Sequence, residues 1–249
     1  SSWYNSFLSG RVQHQFSPRL ITVTNLYGKT YHTFMRADQL PMGSSREIDG
    51  DFTNALNTFG VSSQAEYYLG GNNMVSAGLS AEMLNSNLAY VDSSTLKDVR
   101  GWIVKAKVGY RYTLPYNLAT DVGFQTVYST FAEKVSVNPS LLINWEPSNI
   151  YSAYFSVVQS SPMIREISLS NTLSQPLFDI LVPADLSLAP MLKLNVSLGG
   201  EFMPVLGYTV RGEIFTDLLE NPTLMDSSWQ GDFSDQSKWQ MTYDAGQVT

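Results

Sequence analysis

The chain of 249 residues is 43% hydrophobic but 15% charged, has a formal net charge of −7 and contains no cysteine. Soluble domains carry about a quarter charged residues, yet no stretch here approaches the roughly eighteen apolar residues of a membrane helix. The acidic balance argues against nucleic-acid binding, which needs a basic face, and without cysteine no disulfide framework or thiolate metal site can form.

Alternation of apolar and polar residues runs along most of the chain, which is the signature of half-buried strands. The first expected strand covers 3–16 and ends on Phe16, before Ser17-Pro18. The next, at 19–35, has a weaker alternation and is placed by its neighbours. Strands at 53–69 and 74–87 flank Gly70-Gly71-Asn72-Asn73. The clearest is 99–114: Trp102, Val104, Ala106, Val108, Tyr110 and Tyr112 share one parity, and Lys105, Lys107 and Arg111 the other. After Pro115-Tyr116-Asn117 come 118–130 and 134–145, then Glu146-Pro147-Ser148-Asn149 and the less regular 150–160. The last two, 191–203 and 208–219, enclose Pro204-Val205-Leu206-Gly207. Most of these roughly ten strands exceed the 9–11 residues that a tilted strand needs to cross a bilayer.

The tight turns hold the Gly, Pro, Asn and Ser that turn geometry favours. Longer segments at 36–52, 88–98, 161–190 and 220–238 lie between them, apart from a short link at 130–134. Phe16, Tyr67, Tyr112, Trp145, Tyr151, Phe202 and Tyr208 each fall within a few residues of a tight turn, as a girdle of interfacial aromatics would. Short turns at one end, long loops at the other and a girdle beside the turns predict an all-β, antiparallel transmembrane β-barrel segment. A soluble sandwich would place its largest side chains mid-strand.

Two stretches resemble the barrel of TonB-dependent outer-membrane receptors. One runs from Asn138-Pro139-Ser140 through Asn144-Trp145-Glu146-Pro147-Ser148-Asn149-Ile150-Tyr151 to Tyr154, followed by Ser161-Pro162; the other spans 192–221. The hairpin at Phe16-Ser17-Pro18-Arg19-Leu20 is similar as well. The resemblance implies a larger barrel in the bacterial outer membrane, with a plug domain and an inner-membrane energy-coupling protein as partners, alongside lipid and a surface lipoprotein. The parent protein would import a nutrient: a metal chelate, vitamin, glycan or peptide. The chain departs from the family in lacking a plug and a coupling box before its first strand, and in supplying fewer than half the strands. It ends on Gly246-Gln247-Val248-Thr249 rather than on a strand closing with an aromatic residue. Residues 1–249 are therefore expected to be a piece of the barrel wall. The alternative is a complete small barrel acting as a passive pore, adhesin or hydrolase, and pairing between the strands near Trp3 and Ile214 would decide for it.

Lys105, Lys107, Arg111, Asp121, Glu201, Arg211 and Glu213 are expected to face the lumen, because charges are tolerated toward water and cost several kcal/mol toward lipid. Trp229 and Trp239, near Asp226, Asp232 and Asp235, and Phe178 in the proline-bearing 161–190 segment are the candidate ligand-contacting residues. No catalytic residue, metal site or cofactor is expected. His14 and His32 have no nucleophile and orienting partner arranged around them in sequence, and no GxSxG elbow exists.

Overall fold

A computed structural model describes residues 2–42, 46–70, 73–90, 94–170, 176–184, 190–205 and 208–220. Its side chains are described at 2–34, 53–70, 73–89, 98–164, 181, 183–184, 190–205 and 208–220. The described residues form twelve strands: β1 (Ser2–Ser17), β2 (Leu20–Met42), β3 (Arg46–Gly70), β4 (Asn73–Tyr90), β5 (Ser94–Leu114) and β6 (Leu118–Ser129), then β7 (Lys134–Ser148), β8 (Tyr151–Ser160), β9 (Ile164–Ser170), β10 (Pro176–Pro183), β11 (Leu192–Val205) and β12 (Tyr208–Glu220). Ten of them form one antiparallel sheet in the order β1-β2-β3-β4-β5-β6-β7-β8-β11-β12, while β9 and β10 pair with each other as a separate hairpin. Among the described residues β1 pairs only with β2 and β12 only with β11, so Trp3 and Ile214 lie on opposite free edges. The pairing that would mark a closed ten-stranded barrel is not there.

The turns are closed by their own side chains. Ser17 Oγ accepts hydrogen bonds from the Arg19 and Leu20 amides at 3.2 and 3.1 Å, and Ser148 Oγ accepts one from the Ile150 amide at 3.2 Å. Tyr116 and Asn117 both have positive φ, 65° and 55°, the backbone of a tight hairpin whose twist matches its strands.

At three places the strands overrun the expected loops. In 36–52, β2 and β3 stay paired from Arg36↔Asp51 to Met42↔Arg46; in 88–98, β4 and β5 stay paired to Tyr90↔Ser94. The 161–190 segment holds β9 and β10. Backbone pairing needs no alternation where both faces meet the same solvent, so the period-two signal fades before the ladder does. Pro176 and Pro183 sit at the two ends of β10, a place where a strand tolerates proline.

Cross-strand partners share a face, so the register carries one parity across the sheet. Tyr112, Thr120, Ile143, Phe155, Leu198 and Ile214 form one row, and Leu8, Gly28, Phe59, Met83 and Trp102 another on the same side. This face is apolar and exposed: Val108 and Phe124 are each 53% accessible and Ile214 79%. All seven aromatics expected beside the turns lie on it. The buried side chains are on the opposite face, where Leu84 is wholly buried and Ile103 is 2% accessible. A water-soluble sandwich would bury the first face, not the second. Trp3, Phe7 and Phe215 break the pattern by exposing aromatic rings on the polar side, all on edge strands.

Candidate functional site

The face opposite Trp102 and Val108 gathers the charged parity read from the sequence. Register places Lys105, Lys107, Arg111, Asp121, Glu201, Arg211 and Glu213 on it. Arg111 and Asp121 are direct cross-strand partners joined by two hydrogen bonds, Nε to Oδ1 at 2.7 Å and a terminal nitrogen to Oδ2 at 3.2 Å. Arg211 Nε donates to Glu201 Oε2 at 2.6 Å. Glu213 faces Gly199 across β11 and β12.

Further residues extend the network, and of these Gln64, Glu66 and Tyr68 were not singled out in the sequence. Lys107 donates to Gln64, Gln64 donates to Glu66 at 2.8 Å, and the Tyr68 hydroxyl donates to Glu66 at 3.2 Å. Asp217 accepts from Lys193 at 2.9 Å and from Asn195 at 2.7 Å. Arg11, Asn25, Ser62, Gln64, Lys105 and Lys107 border a recess of about 350 Å³ on this face. The alternation of Gln64 and Glu66 against Ala65 and Tyr67 was a usable signal; pairings such as Lys107 with Gln64 and Arg111 with Asp121 were not, since the partners come from different strands.

At the end away from the tight turns the same face changes character on β3 to β6. Leu56, Leu84, Leu88, Val99, Ile103 and Val127 are buried there. The chain after β8 folds over this zone. Met163 packs with Ile103 and Val127, and with Phe131 beside them. Ser161 Oγ donates to Asn138 Oδ1 at 2.7 Å, and the Ala184 amide donates to the Met163 carbonyl at 2.8 Å. Asn54, fully buried, grips the β10 backbone from β3: its Nδ2 donates to the Leu181 carbonyl at 3.2 Å, and its Oδ1 accepts from the Leu181 amide at 3.1 Å. Nothing local in the sequence marks Asn54, because its partner lies 127 residues away.

Phe178 lies within β10, but its side chain is outside the described residues, as are Trp229, Trp239, Asp226, Asp232 and Asp235 entirely. His14 and His32 are on the apolar face, His14 edge-on to Phe16 with centroids 4.3 Å apart and His32 stacked on Tyr4 at 5.0 Å. Among the described residues no three His, Asp or Glu side chains come together as metal ligands.

No family model and no curated protein matches the chain. Solved structures do. The siderophore receptor PirA from Acinetobacter baumannii aligns over 89% of this chain with a TM-score of 0.61 at 11% identity. The sheet has the fold of a stretch of β-barrel wall. P. aeruginosa FpvA, in a structure bound to heterologous pyoverdines, aligns over 90% with a TM-score of 0.57 at 12% identity. Both are TonB-dependent siderophore receptors, so the resemblance seen at the two hairpin stretches is matched by the fold of most of the chain. At these identities the likeness is one of fold. The chain spans 35% of the length of the first receptor and 34% of the second.

Proposed function

We propose that this chain forms part of the wall of an outer-membrane, TonB-dependent importer of a nutrient such as a metal chelate, vitamin, glycan or peptide. The observation that carries the reading is the two-faced sheet: apolar side chains exposed across ten strands on one side, ion pairs on the other. The apolar face meets lipid. On β5 its band runs from Trp102 to Tyr112, which at about 3.4 Å per residue is about 34 Å of strand. At the usual tilt near 40° that covers about 26 Å of membrane thickness, close to the ~25 Å band of such barrels. The charged face lines the lumen, against a plug domain and the passing cargo.

The free edges of β1 and β12 favour a larger barrel over a complete ten-stranded pore, adhesin or hydrolase, since unpaired strand edges are not stable in hydrocarbon. A catalytic role finds no support in His14 and His32, which sit among aromatics on the lipid side. The energy-coupling protein and a surface lipoprotein are partners proposed for the parent receptor as a whole.

Cargo contact is assigned chiefly to the long segments 161–190 and 220–238; among the described residues, the part of the first that holds Met163 and Leu181 lies over the lumenal face while the strands beneath stay hydrogen-bonded. Deleting residues 165–186 from the parent receptor should leave assembly intact and reduce cargo uptake. Unchanged uptake after that deletion would remove the segment from the binding site.

A further inference from the structure

The apolar face carries a groove that the transport reading does not use. Gly28, in the interior of β2, leaves a gap of about 450 Å³ walled by Leu8, Phe59 and Met83. A Cβ built on Gly28 would meet nothing nearer than the Thr58 carbonyl oxygen at 3.9 Å. The gap is therefore open space, not a close approach of packed side chains. Glycine inside a strand often marks a place where a ligand comes close to the backbone.

The next row toward the loops is polar on this same face. Ser6 pairs with Thr30, Thr30 with Asn57, Asn57 with Asn85 and Asn85 with Arg100. The first four also border the groove. The change from Leu8, Phe59, Met83 and Trp102 to this row marks the edge of the apolar band. Arg100 is exposed and has no ion-pair partner among the described residues; Asp98 lies one row further out on the same face. A hydrocarbon slot thus ends in a collar of amides and hydroxyls with a cation at its side, the chemistry a lipid headgroup requires.

We propose that this groove holds one acyl chain of a phosphate-bearing membrane lipid, with the headgroup on Thr30, Asn57, Asn85 and Arg100. The assignment rests on the apolar face being the lipid face. Amides and hydroxyls supply hydrogen bonds to phosphate and ester oxygens, and Arg100 supplies the charge that prefers an anionic headgroup.

The test uses the parent receptor purified in detergent and incubated with dimyristoyl phosphatidylglycerol or dimyristoyl phosphatidylcholine, with retained lipid counted by native mass spectrometry. Gly28→Leu fills the groove and should lower retention of both lipids about tenfold, the loss of about two buried methylene groups. Arg100→Gln, a surface change that keeps the test open if Gly28→Leu does not fold, should cost phosphatidylglycerol about fivefold and leave phosphatidylcholine unchanged. Folded Gly28→Leu receptor that retains lipid like the unaltered protein would overturn the groove assignment. Equal loss of both lipids in Arg100→Gln would overturn the headgroup assignment. Failure of the underlying reading looks different: a cysteine replacing Val108, remote from the groove, would then react with a water-borne thiol reagent.

Discussion

Ile103 and Arg111 stand on the same strand and the same face, eight residues apart, and live in opposite surroundings. Ile103 is buried against Val127 and Met163, whereas the Arg111 side chain is 47% accessible and paired with Asp121. Strand parity fixes which side of the wall a residue occupies. What lies above it is decided by the loop excursion between β8 and β11, which folds back over the loop end of β3 to β6 and leaves the turn end open. The same wall therefore has a packed zone and a wet zone, and substitutions should separate them.

The largest effect is expected in the packed zone. Leu84→Ala removes a wholly buried side chain and should destabilise the parent receptor by about 2–5 kcal/mol in denaturant unfolding. A loss below about 1 kcal/mol would mean that the zone is loosely covered. On the apolar side, if it meets lipid as proposed, Val108→Arg, near the middle of the band, should cost about 2–4 kcal/mol, and Val104→Arg, nearer the loop-side edge, less. If both matched the near-zero cost of Lys107→Arg, the two faces would be equivalent and the comparison would fail.

Asn54→Ala leaves both backbone groups of Leu181 without their buried partner. It should cost about 1–3 kcal/mol and speed proteolysis within the 161–190 segment while sparing the ten-stranded sheet. Protease resistance equal to the unaltered receptor would show that Asn54 does not hold β10. The smallest effect belongs to the wet zone: Arg111→Ala breaks a half-exposed pair and should cost about 1 kcal/mol or less, shrinking further in high salt. A salt-independent loss of several kcal/mol would place Arg111 in a dry site.

Much of the wall was legible in the residues because a strand with two unlike faces must alternate, as Trp102 and Lys105 do on β5. The turns were legible through Ser17-Pro18 and Pro115-Tyr116-Asn117, whose side chains and backbone set the geometry locally. The strand extensions to Met42 and Tyr90 were hidden, since where both faces meet the same medium neither is obliged to be apolar. Phe59 and Met83 beside Asn57 and Asn85 show the limit within single strands. Pairings such as Arg111 with Asp121 needed register, and the Asn54 contact with Leu181 needed the tertiary fold, because no local pattern links residues so far apart.

The central claim is that the two parities of β5 face different media, and a cysteine scan from Ile103 to Tyr110 tests it most directly. The chain has no cysteine of its own, so each replacement in the parent receptor adds one new thiol to this segment, to be probed in intact outer membranes with a water-soluble thiol reagent. The account predicts labelling at Lys105 and Lys107, protection at Val104, Ala106, Val108 and Tyr110, and protection at Ile103, which is buried against Val127 and Met163. Labelling at Val104, Ala106 and Val108 as fast as at Lys105 and Lys107 would contradict it.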